Sequence, residues 1–358
     1  MPNWSRRRFI GTSLAVAGVA VAASLVGRAV LERGRVEEPV GVPPLPEPVE
    51  PVPALDPGTD YGLEGLSPVV TPNADFYRID TALITPRLDA ATWEMTVSGM
   101  VDRPLLLTYA DLLARPLVEQ YVTIACVSNE VGGGLVGNAL WRGAPLRDLL
   151  EEAGVQEGAT QVVGRAFDGW TCGFPTEWVM TDAREALVAV AMNDEPLPAE
   201  HGFPARLIVP GLFGYVSATK WLTDIELTTW EAFDAYWVPL GWAKEGPILT
   251  QSRIDVPRGR SSIPARETAI AGVAWAPDRG ISRVEVQVDD GEWHEAELAV
   301  AISDATWVQW RFDWPAAPGE HALRVRATDG DGTLQEERHT RPAPDGARGY
   351  HTITVSVA

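Results

Sequence analysis

The stretch most able to do chemistry is Thr123-Ile124-Ala125-Cys126-Val127-Ser128-Asn129-Glu130-Val131-Gly132-Gly133-Gly134. Val118, Val122 and Ile124 alternate along a strand that runs straight into Cys126, so the thiol sits where a rigid element ends and a loop begins. Two chemistries suit a sulfur in that place. One is a disulfide with the second cysteine, Cys172. The other is a soft thiolate ligand to a sulfur-seeking metal, with the glycines letting the backbone approach a cofactor closely.

A second candidate cluster is basic. His201-Gly202-Phe203-Pro204-Ala205-Arg206 leads into Gly214-Tyr215-Val216-Ser217-Ala218-Thr219-Lys220. Arg206 and Lys220 flank a loop of glycine and small hydroxyl residues, a composition that suits phosphate: N–H groups and hydroxyls meet the oxygens while the cations neutralise them. Two solvated surface cations are the plainer alternative.

The elements that must position these groups follow from local pattern. Thr108 caps a short helix through Leu113 that Pro116 stops, and Leu146 to Ala153, ended by Gly154, forms a second. Asp182 to Met192 reads as a third. Past Gly246 the period changes to two: Val284, Val286 and Val288 alternate with polar residues, Asp290-Gly291 turns the chain, and Leu323, Val325, Ile353, Val355 and Val357 repeat the pattern. Trp275, Trp293, Trp307, Trp310 and Trp314 supply core bulk, and no helix is expected there. This points to a β-sandwich of the immunoglobulin type.

Composition removes several classes. Forty-nine acidic residues against 29 basic ones give a net charge of −20, unsuited to nucleic acid. Two separated cysteines supply neither a C-x-x-C-H haem attachment nor the roughly four thiolates of an iron–sulfur cluster, and the five histidines are scattered, so a conventional zinc site is not expected. At the start, Arg6-Arg7-Arg8 precedes an apolar run from Ile10 to Val26, which looks like a twin-arginine export signal or a retained membrane anchor. From Arg35 to about Pro57 the chain is rich in proline and reads as an extended spacer at about 3.1 Å per residue. The expected division is a signal or anchor over 1–33, a linker over 34–59, a catalytic domain over 60–245 and a sandwich over 246–358.

The cysteine loop, the stretch HGFPARLIVPGLFGYVSATKWL and the C-terminal sandwich follow one another as in the sulfite-oxidase family of molybdopterin oxidoreductases, which this chain resembles from about residue 70 onward. The resemblance implies an α+β fold: a mixed α/β molybdopterin-binding domain, then an immunoglobulin-like β-sandwich that pairs subunits in many relatives, so a homodimer. It implies molybdenum as the metal, Cys126 as its ligand, and oxygen-atom transfer as the reaction. Asn73, Phe76, Tyr77 and Arg78 match a stretch touching the pterin. His201 and Arg206 match cofactor contacts, and Ser217, Ala218, Thr219 and Lys220 match the phosphate loop. Asp168 and Thr171 fall in a segment lining the site.

Two departures stand out. The run after Cys126 carries Glu130 and no arginine, where sulfite-oxidising relatives hold their anion, so sulfite is expected to be a poor substrate. Cys172 falls where relatives have a tyrosine near the metal, which makes it either a catalytic neighbour or a buried, inert thiol. With no haem or cluster ligands, the chain is expected to exchange electrons with a separate carrier, a haem protein or a quinone-linked subunit. It is expected to act on a small-molecule substrate, a sulfur oxyanion or a sulfoxide, in the periplasm or outside the cell. A non-catalytic surface protein with a Cys126–Cys172 disulfide is the alternative from another class.

Overall fold

A computed structural model describes residues 41–181 and 185–358; the arginine-led segment therefore lies outside the described residues. The chain is rich in sheet with few helices. The helix Tyr109–Leu113 forms as expected, with Thr108 and Asp111 closing a reciprocal capping box. Leu146–Ala153 ends on the left-handed Gly154, and its buried Leu146, Leu149, Leu150 and Ala153 share one face.

Two sheets build the part that bears the cysteine. In one, strand Val118–Ala125 pairs antiparallel with Val136–Pro145, which pairs with Leu187–Met192, flanked by Arg206–Ile208. In the other, Glu94–Gly99 and Leu222–Thr228 run parallel at the centre, with Leu105–Thr108 on one side and Gln161–Ala166 and Thr171–Pro175 on the other. The expected third helix is a correction. Its described part, Leu187–Met192, is a wholly buried strand, and residues 182–184 are outside the described residues. LVAVAM is a continuous apolar run, which fits a buried strand as well as a helix, and pairing on both edges decides it.

The C-terminal part places Gln251–Val256, Glu267–Trp275, Glu297–Leu298 and Val308–Pro315 in one sheet, and Ser262–Ile263, Ile281–Val288, Trp293–Glu295, Gly319–Asp329 and His351–Val357 in another. Ile270, Trp310 and Trp314 of the first meet Val286, Leu323, Val325 and Val355 of the second in one apolar core. The tryptophans divide differently from the sequence expectation. Trp275 and Trp307 pack into the core of the cysteine-bearing part, and Trp293 stays half-buried under Arg326.

The two parts are locked together. Trp307 donates from its indole to Val69 O and from its backbone to Thr123 Oγ1, both at 2.8 Å. The glycine run after Cys126 takes part in this contact: a side chain on Gly132 would overlap the ring of His351, and Arg253 donates to Gly133 O at 2.8 Å. The proline-rich segment also lies on the body over its described length. Val49 N donates to Leu117 O, Arg142 donates to Pro46 O, and Val300 N donates to Gly58 O. Its reach as a spacer is correspondingly shorter than the sequence suggests.

Candidate active site: a buried thiol beside a buried arginine with no carboxylate partner

Cys126 stands at the end of its strand, 8% exposed, in the wall of a cleft of about 1000 Å³ counted with its open mouth. Its amide donates to Leu135 O, its carbonyl accepts from Asn129 N, and its sulfur shares a 2.9 Å hydrogen bond with Ser128 Oγ. Neither cysteine is paired, so the expected alternative of a disulfide is not what the fold makes. Of the two readings of Cys172, the fold shows the buried one. It is fully buried on the strand Thr171–Pro175, outside the cleft wall, and takes a hydrogen bond from Thr219 Oγ1 at 3.0 Å. Burial pushes its thiol up to about 11, so it is neutral and inert.

Arg206 carries the strongest electrostatic signal. It is 3% exposed in the cleft wall, yet among the described residues no carboxylate pairs with it. Nη1 donates to His201 O, the guanidinium lies 5.1 Å from the Trp141 ring centroid, and Nε has no partner. Burial pulls it down to about 10. A buried cation left this way costs several kcal/mol, a cost an anionic ligand would offset. Lys220, 8% exposed, holds Asp80 at 3.3 Å and Glu200 O at 2.9 Å, and burial followed by Arg206 lowers it to about 8. Its neighbour Trp221 takes φ of 51°, rare for a bulky residue, and Gly202 has no side chain because one would press on the Lys220 backbone at 3.0 Å.

Of the other sequence candidates, Phe76, Tyr77, Asp168 and Ala218 line the cleft. Burial first, and then Cys126, raise the Tyr77 hydroxyl far above the ordinary tyrosine range. The rest act behind the wall. Asn73 ties its loop to Met192 O and Asn193, and His201 Nε2 meets Asn73 O at 2.8 Å while burial lowers the imidazole to about 4. Arg78 pairs with Asp80 and Thr85, and Thr171 Oγ1 accepts from Tyr236 N. The hydroxyls expected to cradle phosphate are turned away: Ser217 donates to Phe213 O and Thr219 to Cys172. That leaves Ala218 and Lys220 of the loop at the cleft. Sequence reasoning missed the aromatic wall of Trp170, Trp221, Trp237 and Trp242, and also Asp80, which bridges Arg78 and Lys220.

A soft sulfur donor beside buried, partnerless positive charge defines an oxidoreductase-type site for an anionic, metal-bearing cofactor. Comparison with known proteins makes that class definite. Residues 82–237 match the family model described as oxidoreductase molybdopterin binding domain. The chain is 38% identical over 158 residues to the uncharacterized oxidoreductase YuiH of Bacillus subtilis, covering 44% of this chain and 76% of that protein. It is 29% identical over 302 residues to human mitochondrial sulfite oxidase, covering 72% of this chain and 55% of the relative, so it spans about half the length of such relatives. The solved sulfane dehydrogenase SoxCD of Paracoccus pantotrophus has the same fold, with a TM-score of 0.70 at 24% identity over 84% of this chain and 85% of that one. The chain belongs to the sulfite-oxidase family of molybdopterin-dependent oxidoreductases. The donor set fits the cofactor: a cleft-facing thiol, a buried guanidinium with an unused N–H, and a buried ammonium.

Proposed function

We propose that Cys126 ligates molybdenum and that Arg206 and Lys220 hold the anionic part of the pterin cofactor. The observation that carries this reading is Arg206, a buried cation in the wall of the cleft that also holds Cys126, with no carboxylate partner. Ser128 steadies the ligating sulfur, His201 and Asn73 fix the floor beneath Arg206, and Thr219 on Cys172 sets the phosphate loop from behind. When bound, the cofactor supplies two-electron, oxygen-atom-transfer chemistry, while the protein orients it and controls local charge.

The substrate is a small molecule. Relatives are named sulfite oxidase and nitrate reductase, and the structural neighbour is named a sulfane dehydrogenase. Near Cys126 this chain offers Ser128, Tyr77 and tryptophans in place of extra cations, which favours a neutral sulfoxide over sulfite. Electrons pass to or from a separate carrier, since two separated cysteines supply neither a c-type haem attachment nor the ligands of an iron–sulfur cluster. The C-terminal pair of sheets is an immunoglobulin-type sandwich, a reading supported by its shared core; that it pairs subunits rests on the family resemblance alone. Arg6-Arg7-Arg8 ahead of the apolar run Ile10–Val26 supports export by a twin-arginine route, to act outside the cytoplasm. Metal analysis of protein from a host that makes the cofactor, beside Cys126→Ser, tests the core of this reading. About one molybdenum per chain, lost in the variant, is the expected result. Equal metal in both proteins would remove Cys126 as the ligand.

A further inference from the structure

The cleft wall divides by exposure. Cys126, Arg206 and Lys220 are buried in it, whereas Asp168 is exposed and Trp170, Trp237 and Trp242 are half-buried. Two turns deliver this outer group. In the first, Ala166 N donates to Trp170 O and Gly169, at a φ of 86°, donates to Ala166 O, while Trp170 N reaches Asp168 Oδ1 at 3.1 Å. Carboxylate and indole are thereby fixed in one tight turn. In the second, Trp242 N donates to Trp237 O at 3.2 Å, and the two indoles meet edge to face, 6.4 Å apart at 77°. Tyr215 adds a third ring, 6.0 Å from Trp242 and tilted by 50°, with its hydroxyl donating to Ala243 O. Tyr236 N, donating to Thr171 Oγ1, ties the two turns to each other.

Charge decides what such a wall receives. Four charged side chains line the cleft: Arg206, Lys220, Asp80 and Asp168. Asp80 is paired with Lys220 and Arg78, and on the reading above the anionic part of the cofactor covers Arg206. Asp168 accepts from Trp170 N and, among the described residues, pairs with no cation. The tryptophans divide in the same sense. Lys220 Nζ already stands 5.6 Å from the Trp221 ring centroid, while no cation among the described residues lies over Trp170, Trp237 or Trp242. Open indole faces beside an unpaired carboxylate attract a methylated ammonium, whose charge is spread over apolar methyl groups.

We propose that the outer cleft receives a quaternary ammonium head, so that the substrate carries a sulfoxide at one end and a trimethylammonium group at the other. The sulfoxide end rests on the function proposed above, and the ammonium end on this wall. The reaction breaks the S–O bond: the sulfoxide takes two electrons from a reduced carrier and two protons from solvent, and leaves as thioether and water.

The test uses molybdenum-loaded full chain, a reduced viologen dye and two matched substrates. One is trimethylammonium-propyl methyl sulfoxide, and the other has tert-butyl in place of trimethylammonium. The charged substrate is expected to show a kcat/KM about tenfold higher, most of it in KM. Asp168→Asn and Trp237→Leu should each lower that ratio severalfold. Both substrates are read on one preparation, so any loss of cofactor cancels. Calorimetry on the same protein, with choline and its tert-butyl alcohol analogue, reads the ammonium end without turnover. Choline should bind more tightly than the alcohol, and less tightly in Asp168→Asn and as salt rises. If neither sulfoxide is reduced while choline binds in this way, the ammonium site stands and the sulfoxide reading falls. A kcat/KM ratio near one, or equal binding of choline and the alcohol, overturns the proposal. So does choline binding that neither variant weakens, because the cation then sits elsewhere.

Discussion

Arg206 in the cleft and Arg326 in the C-terminal part are both partly stacked on a tryptophan, and there the likeness ends. Arg326 grips both oxygens of Glu285, at 2.9 and 3.1 Å, with its guanidinium 4.2 Å from the Trp293 ring centroid. Arg206 is far more buried and has a carbonyl, a ring and an unused N–H. The first arrangement satisfies itself and holds a sheet together. The second is a standing cost that a ligand must relieve, as binding sites often are. On the proposed reading, folding stability and cofactor binding are drawn from different arginines.

The largest effect should come from breaking the site outright. Cys126→Ser is expected to lower molybdenum retention by more than the ~10–100-fold seen when outer-shell partners of metals are removed, read as metal per chain after gel filtration. Arg206→Met sharpens the comparison next. Cofactor-free protein should be unchanged or stabilised by about 1–4 kcal/mol in urea unfolding, while cofactor retention falls. Equal destabilisation with and without cofactor would make Arg206 an ordinary structural residue. Arg326→Ala should do the reverse, lowering Tm by about 2–4 °C and leaving metal content unchanged.

The pH dependence distinguishes the regions further. Lys220 is lowered to about 8 in the fold from 10.5 when free. Between those values the unfolded chain binds the extra proton, so cofactor-free stability rises with pH across that window. Cofactor affinity should fall over the same range as the ammonium is lost, and Lys220→Met should flatten both trends. His201, lowered to about 4 from 6.5, adds stability that is lost on acidification through that lower window. The smallest change, a slight fall in Tm with normal metal content, is expected for Thr108→Ala, which removes one side of the capping box.

Much of this was legible locally. The two helices with their caps, the strand that delivers Cys126, and the Asp290-Gly291 hairpin all rest on signals contained within a few residues. Arg206 and Lys220 stood out as cations in an acidic chain. What escaped depends on contacts distant in sequence. Leu187–Met192 took its form from pairing with Val136–Pro145 and Arg206–Ile208. The aromatic wall draws on Trp170, Trp221, Trp237 and Trp242 from separate loops. The direction of Ser217 and Thr219 was likewise invisible, because a hydroxyl in a loop motif gives no sign of which side it faces. The contact of the glycine run with His351 was equally out of view, because that residue lies more than two hundred residues onward.

That neighbour joins the cysteine loop to the far end of the chain. His351 opens the last strand of the chain, His351–Val357, and its ring fills the space that Gly132 leaves beside the cysteine loop. The packing of the loop bearing Cys126 is thus completed by a residue from the far end of the sequence, although the loop's own hydrogen bonds are local. On the proposed reading of Cys126, a chain truncated before Tyr350 is expected to hold less molybdenum than the full chain, read as metal per chain.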